Sequence, residues 1–171
     1  MLIISAVGAD RPGMAHAVAQ ILFDCGCNIE DTTMTRLSGQ FAMILAVESP
    51  DLTAQELETK LSPLRHALGL HIHVASAGEA GKIPPDAARY ILTAYGAEKT
   101  GLLARLTGVL AAQGANVTDV QTRVASGGSV YVMLLEIELP SEASAPILEA
   151  ALKTELGGLQ ISLRAMEEDT L

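Results

Sequence analysis

Two short segments combine glycine, acidic and basic residues in a way that suits a binding site for a small charged molecule. The first, GADRPG, runs from Gly8 to Gly13, and the second, GAEKTG, runs from Gly96 to Gly101, a separation of 88 residues (96 − 8 = 88). Each lies between an apolar run and an amphipathic helical pattern, which predicts a turn from a strand into a helix. Backbone N–H groups at a helix start carry partial positive charge and favour a carboxylate or a phosphate. The segments predict two anion-binding loops; glycines that serve only a tight turn are the alternative.

Proline and glycine have separate expected tasks in these loops. Pro12 suits the first helical turn, where its missing N–H is not needed. Gly13 and Gly101 are expected to keep the bulk of a Cβ atom away from the exposed amides. The backbone of each loop should then be open to a ligand.

The elements around the loops repeat with the same spacing. An apolar run from Leu2 to Val7 predicts a central strand covered on both faces, and Tyr90 to Tyr95 is its counterpart. The helix that follows each loop has one apolar face. That face is Met14, Val18, Ile21, Leu22 and Cys25 in the first half, and Leu102, Leu106, Val109, Leu110 and Gln113 in the second. Gly26 and Gly114 predict left-handed caps at the helix ends.

Polar residues open the strand after each helix. Asn28 and Asp31 recur as Asn116 and Asp119, and we expect each pair to share one side of its strand. A hairpin signal follows in each half, at residues 38–40 and 126–129. The alternative for these polar residues is that they only satisfy backbone groups where the strand begins.

Each half closes with an apolar strand, a helix and a last strand. The apolar strands run from Phe41 to Val47 and from Val130 to Leu135. Thr53 and Glu56 have the spacing of a capping box, and leucines at 57, 61, 64 and 68 supply the apolar face of one helix. Each half is therefore predicted as β-α-β-β-α-β.

The predicted fold class is α+β, with two ferredoxin-like domains in tandem, each an antiparallel sheet with its helices on one face. The predicted bounds are 1–76 for the first domain, 77–88 for a linker rich in glycine and proline, and 89–168 for the second domain. Because strands 41–47 and 130–135 are almost purely apolar, we expect another sheet or subunit to cover the face away from the helices. This expectation predicts a homodimer.

Composition argues against several functional classes. The net charge of −9 and the aromatic content of 3% are unfavourable for direct contact with nucleic acid. The longest apolar runs are far shorter than the ~18 residues of a membrane span, and no signal-peptide pattern is present at the N-terminus. The sequence predicts a cytoplasmic protein without a membrane segment.

Catalytic and metal-binding motifs are not predicted. Cys25 and Cys27 could suggest a metal or redox pair, but their counterparts 88 residues on are Gln113 and Ala115, so small buried thiols are the better interpretation. No cysteine or carboxylate joins the histidines at metal-ligand spacing, and no nucleophile motif occurs. We predict no catalytic residue, no metal and no cofactor.

The loop Asp10-Arg11-Pro12-Gly13, followed after a helix by Gly26-Cys27-Asn28-Ile29, resembles the signature of the ACT domain, and the resemblance covers both halves. In that family an amino acid lies between the strand-to-helix loop of one domain and the second strand of a neighbouring domain. The resemblance implies ligand contacts from Asp10, Arg11, Pro12, Gly13, Asn28, Asp31, Glu98, Gly101, Asn116 and Asp119.

The roles implied for these residues are chemically coherent. Amides at the helix start would hold the α-carboxylate, while Asn and Asp oxygens would accept hydrogen bonds from the α-ammonium group. The second loop departs from the pattern, because Lys99 and Thr100 replace Arg11 and Pro12. Weak binding, or packing alone, is therefore expected there. Asp10 is acidic where the family often has Asn, which favours recognition of an ammonium group at that position.

A pair of ACT domains with neither a catalytic domain nor a DNA-reading helix is similar to the glycine cleavage system transcriptional repressors. The resemblance implies an amino-acid-sensing regulatory protein with a glycine- or serine-like effector. It would act in transcriptional or metabolic control through a protein partner such as a transcriptional activator. A regulatory module for a separate enzyme, as in formyltetrahydrofolate deformylase or phosphoserine phosphatase, is one alternative. A ferredoxin-like enzyme or an RNA-binding module is the other.

Overall fold

The computed structural model describes residues 1–49, 51–78, 87–97, 100–125, 130–140 and 143–166. The chain divides into two compact units, Met1–Ala80 and Gly81–Leu171. Most of the predicted linker, the hairpin at 126–129 and the loop residues Glu98 and Lys99 lie outside the described residues. The domain bounds 1–76, 77–88 and 89–168 therefore stay a prediction.

The two units have the same order of elements. The first unit contains β1 (Leu2–Ala9), α1 (Met14–Asp24), β2 (Asn28–Leu37), β3 (Gln40–Glu48), α2 (Ala54–Leu61), α3 (Pro63–Leu68) and β4 (His71–Ser76). The second contains β5 (Ala88–Ala97), α4 (Leu102–Ala112), β6 (Asn116–Ala125), β7 (Val130–Leu139), α5 (Ala145–Glu155) and β8 (Gln160–Ala165).

Each unit forms a four-stranded sheet with antiparallel neighbours. The strand orders are β2-β3-β1-β4 and β6-β7-β5-β8, so β2 and β4, and likewise β6 and β8, are edge strands. This topology confirms the predicted α+β class with two β-α-β-β-α-β domains.

A separate apolar core lies between the helices and the sheet of each unit. Met14, Val18 and Leu22 of α1 are buried, as predicted from their spacing, while Ile21 and Cys25 are only half-buried. The counterparts Leu102, Leu106 and Leu110 of α4 are buried in the second core. The helical periodicity therefore identifies the residues that fix each helix on its sheet.

The helix predicted after Thr53 is two helices in the structure. Its start is as expected: the Thr53 hydroxyl accepts the N–H of Glu56 at 3.3 Å, and the Glu56 carboxylate accepts the N–H of Thr53 at 2.8 Å. However, α2 ends at Leu61 and α3 begins at Pro63, because proline has no N–H to continue the helical hydrogen bonds. The prediction of one continuous helix was wrong at this point.

The sheet face away from the helices is exposed within each unit. Strand β3 alternates between buried and accessible residues, and Ile44 is 50% exposed. On β7, Leu134 is 40% exposed, and on the central strand β1, Val7 is 46% exposed. Helices cover one face of each sheet, so the expectation that β1 is covered on both faces was wrong for the unit itself. Coverage of the open faces by another subunit stays a prediction.

No helix in the described part of the chain is long and apolar enough to cross a membrane.

Candidate functional site

The two helices that follow the loops begin with the same backbone geometry. Gly13 starts α1 with φ +89° and ψ −4°, and Gly101 starts α4 with φ +84° and ψ +6°. For the helices α1 and α4 as described, no side chain caps the first turn. The first amides of a helix have no partner within it, so both loops offer backbone donors to a ligand.

The backbone supplies a further reason for glycine at the helix start. An added Cβ at Gly13 or Gly101 would meet nothing within 4 Å, so space does not require glycine there. The left-handed backbone requires it, since residues with a Cβ rarely adopt such φ values.

Space does require glycine at the first position of each loop segment. A Cβ at Gly8 would lie 2.7 Å from the carbonyl oxygen of Gly69, and a Cβ at Gly96 would lie 2.6 Å from Cδ2 of Leu159. In each unit the connection into the last strand therefore packs directly against the end of the first strand. The repeated glycines keep the two segments in contact.

Asp10 is fixed to the hairpin between β2 and β3. Its backbone N–H donates to the carbonyl oxygen of Gly39 at 2.9 Å. Its Oδ2 accepts a hydrogen bond from Nη1 of Arg36 at 3.4 Å. The neighbours Arg11 and Pro12 are exposed. The sequence analysis missed Arg36, because it lies 26 positions from Asp10 and only the pairing of the strands brings the two together.

The predicted strand residues flank an irregularity in their strand. The register of β2 against β3 shifts between Ile29 and Asp31, and that of β6 against β7 shifts between Val117 and Asp119. Such a shift is a β-bulge, a feature often found beside functional sites. The repeat of the bulge in both units indicates that it belongs to the fold of each domain.

Asn28 and Asp31 have local partners in the structure. Asp31 Oδ1 accepts the N–H of Thr32 at 2.7 Å, and the Asn28 amide donates to the carboxylate of Glu30. The Asp31 contact is the kind that the structural alternative predicts. The second oxygen of the carboxylate is still able to accept from a ligand, since an ionised carboxylate has about four lone-pair sites.

The counterparts in the second unit have different partners. Asn116 Nδ2 donates to Glu138 Oε2 at 3.2 Å, and Gln121 Nε2 donates to Asp119 Oδ2 at 3.4 Å. Asn116 and Glu138 are also paired in the register of β6 and β7, as Asn28 and Glu48 are in β2 and β3. The cross-strand Asn–Glu pairing is therefore repeated, while the hydrogen bonds are not.

Within one unit the loop and the strand residues are not brought together. The loop follows Ala9, which is level with Gln40 and Leu37 at one end of the sheet. Asp31 lies six positions earlier on β2 (37 − 31 = 6), which corresponds to about 20 Å of strand. The arrangement implied by the family resemblance, with loop and strand from neighbouring domains, is the one that could combine them. That arrangement stays a prediction.

Among the cavities lined by described residues, two belong to the first unit. One of about 390 Å³ is lined by Met1, Gly26, Asn28, Glu48 and Ser49 and so includes a predicted site residue. A larger one of about 510 Å³, between α2, α3 and β4, includes none of them. Volume alone would favour the larger cavity, but the smaller one is adjacent to the bulge and to polar groups that can recognise a charged ligand.

Among the residues that the structure describes, no group of three or more His, Cys, Asp or Glu side chains could hold a metal ion. Cys25 and Cys27 are free thiols and half-buried, and both pack against the first core. They pack as small apolar side chains, but neither is fully buried, so the expectation of buried thiols is met only in part.

Comparison with known proteins gives a consistent result. A family model of the ACT domain matches residues 1–75 and again residues 89–163. The glycine cleavage system transcriptional repressor of Escherichia coli (strain K12) is 28% identical over 156 residues, which are 89% of this chain and 82% of that protein. This similarity confirms the predicted resemblance to such repressors.

Two solved structures extend over both units. An unknown protein from Galdieria sulphuraria superposes with a TM-score of 0.80 at 26% identity, covering 97% of this chain and 98% of the other. A candidate glycine cleavage system transcriptional repressor superposes with a TM-score of 0.73 at 22% identity, covering 98% of this chain and 97% of the other. With the family model matching nearly all of both halves, the chain belongs to the ACT domain family.

Proposed function

We propose that this chain is an amino-acid-sensing regulatory protein and not an enzyme. Its effector is a small amino acid of the glycine or serine type, bound at a strand-to-helix loop. Occupancy of the loop controls transcription or metabolism through a protein partner, such as a transcriptional activator.

The observation that carries this proposal is the repeated loop. Two helices start at left-handed glycines, 88 residues apart, with backbone amides that a ligand carboxylate could accept from. The polar residues that the family resemblance adds, Asn28 and Asp31, supply oxygens for an ammonium group. An α-amino acid has both groups on one carbon, so it matches this combination of donors and acceptors.

Charge supports a protein partner over direct contact with DNA. The net charge of −9 opposes a phosphate backbone, because nonspecific binding to DNA depends on Lys and Arg that neutralise phosphates. The relative in Escherichia coli is a transcriptional repressor. A chain of this charge could take part in such repression by binding another protein.

We also propose that the protein is a cytoplasmic homodimer. The open sheet faces support this assembly, since Ile44 and Leu134 are exposed on strands that are otherwise almost purely apolar. A second copy would remove these side chains from water.

Thermal unfolding against the twenty amino acids tests the proposal. A ligand at 100 times its dissociation constant adds about 2.7 kcal/mol of stability, which a melting curve detects readily. Glycine or serine should raise the melting temperature, while folate intermediates and a short RNA, measured in parallel, should not. A shift with RNA or a folate alone would contradict the proposal, and so would the lack of any shift with an amino acid.

A further inference from the structure

Arg36 places a guanidinium group beside the loop of the first unit. Its Nη1 lies 3.4 Å from Oδ2 of Asp10, with 73% of the Arg36 side chain and 32% of the Asp10 side chain exposed. One hydrogen bond uses one of the five N–H donors of arginine and one of the carboxylate oxygens. The ion pair therefore keeps donors and acceptors that a solute can reach.

The strand register fixes this position. Arg36 is paired with Phe41, which is paired in turn with Gly8, two residues before Asp10. Phe41 is buried on the helix side of the sheet, so Arg36 lies on that side, at the end of the sheet where α1 begins. Its side chain is adjacent to the proposed effector loop and does not belong to the apolar core.

The ion pair has the charge pattern that a zwitterion requires. An α-amino acid presents an ammonium and a carboxylate side by side, and Asp10 and Arg36 present the opposite charges side by side. A ligand with only an ammonium group would be repelled by the positive charge of Arg36. A ligand with only a carboxylate would be repelled by the negative charge of Asp10. Guanidinium groups also suit carboxylates through their planar fork of donors.

We propose that Arg36 is a specificity-determining residue of the loop site, where the Asp10–Arg36 pair selects a zwitterionic amino acid over the corresponding amine or acid. This inference rests on the proposed function. Arg36 binds the ligand carboxylate with the charge that neutral helix amides lack, and Asp10 binds the ammonium group. The counterpart of Arg36 in β6, 88 residues on, is Val124, which is 51% exposed. The second loop therefore lacks this selectivity.

Calorimetry with glycine and serine, and with glycinamide and serinamide, tests the inference on the full chain. At pH 6.5 the α-amino groups of glycinamide and serinamide are protonated, because the ordinary pKa of an α-amino group is about 7.7–8.0. The wild type should bind each amino acid more tightly than its amide. In Arg36→Ala the affinity for the amino acid should fall about two- to fivefold, the range of an exposed ion pair. The affinity for the amide should stay the same or rise, because the like charge of Arg36 is removed.

Two further variants separate specificity from a structural effect. Arg36→Lys keeps the positive charge and should retain most of the preference for the amino acid. Arg123→Ala removes an exposed arginine from β6, next to Val124, and should leave all affinities unchanged. All variants should melt close to the wild type, since Arg36 and Arg123 are both surface residues.

The outcomes distinguish the two proposals. A wild type that binds neither glycine nor serine overturns the proposed effector and the role of Arg36 with it. A wild type that binds them with an amino-acid-to-amide ratio unchanged in Arg36→Ala overturns the role of Arg36 alone. An equal change in Arg123→Ala would also overturn it, because the effect would then reflect total charge.

Discussion

A methyl group added at Gly8 should destabilise the first unit more than the same change at Gly96 destabilises the second. At Gly8 the new Cβ would lie 2.7 Å from the carbonyl oxygen of Gly69 and 3.3 Å from Cδ2 of Leu70. At Gly96 it would lie 2.6 Å from Cδ2 of Leu159 and 3.1 Å from the carbonyl oxygen of Gly158. Both contacts are too short, but a backbone oxygen is the nearest atom at Gly8 only.

The ease with which each neighbour moves sets the magnitude. Gly69 is the left-handed cap of α3, and its N–H is bonded to the carbonyl of Arg65, so its own carbonyl cannot shift without disturbing the helix end. Overpacking of this kind costs about 1–3 kcal/mol, and the entropy that alanine removes from the unfolded chain offsets roughly 0.4–1 kcal/mol. We expect Gly8→Ala to cost about 1–2 kcal/mol. Leu159 can rotate away, so Gly96→Ala should cost less than about 1 kcal/mol.

Hydrogen exchange read by mass spectrometry measures the two units separately. A single melting temperature would not suffice, since a chain with two units need not unfold in one step. Core amides of α1 should lose protection in Gly8→Ala while those of α4 keep it, and Gly96→Ala should show the reverse pattern with a smaller loss. An equal or larger loss in Gly96→Ala would refute the reasoning that a fixed carbonyl is worse than a mobile side chain.

Three further predictions concern binding, pH and assembly. Asp31→Ala should weaken binding of glycine or serine about tenfold or more and leave the fold intact, whereas Asp119→Ala should matter less; calorimetry on both compares them, and equal effects would contradict the assignment. Hydrogen bonds from the backbone and then from the hydroxyl of Thr53 lower the pKa of Glu56, so its charge stabilises the fold at neutral pH and this contribution is lost as the pH falls through the lowered pKa. Melting curves of wild type and Glu56→Gln should therefore differ at pH 7 and converge in acid; a constant difference would argue against the charge. Ile44→Glu and Leu134→Glu should each shift sedimentation from dimer towards monomer, and two unchanged profiles would show that the open faces are not the interface.

The features that the sequence predicted well are those carried by local periodicity and by the repeat. The buried face of α1 was correct for Met14, Val18 and Leu22, because helical spacing identifies residues that must face the same core. The capping box at Thr53 was correct because all of its groups lie within four residues.

Periodicity was misleading where a break in the helix preserved the spacing of the leucines. Ser62 joins α2 and α3 with φ −56° and ψ −30°, which is helical backbone, so the apolar face continues across the break. Leu57, Leu61 and Leu64 are all buried on either side of it. The sequence signal for the end of α2 is the missing N–H of Pro63. This signal is ambiguous, because proline is also common at the first position of a helix.

Contacts between distant segments could not be predicted from spacing. The Asp10–Arg36 pair depends on the register of three strands, and the contact of Gly8 with Gly69 depends on a loop more than sixty positions away. The apolar strand β3 suggested two covered faces because composition does not say whether a neighbour is present. Because the sequence does not show which domains are neighbours, the loop and the strand could be predicted as parts of one site, but their relative position could not.

The bulges in β2 and β6 determine which side of the sheet their polar residues occupy. Asn28 and Asp31 are three positions apart, which in a regular strand places side chains on opposite faces, so the regular alternation on which the expected shared side was based does not produce it. The extra residue at Glu30 reverses this alternation: Asn28 is paired with Glu48 and Asp31 with Ala46, two residues that share the open face. The position of both polar groups on one face therefore depends on the number of residues between them as well as on the residue types. The same residues in a regular strand without the bulge would place the two polar groups on opposite faces, whereas deletion of Glu30 would leave them two positions apart and therefore on one face.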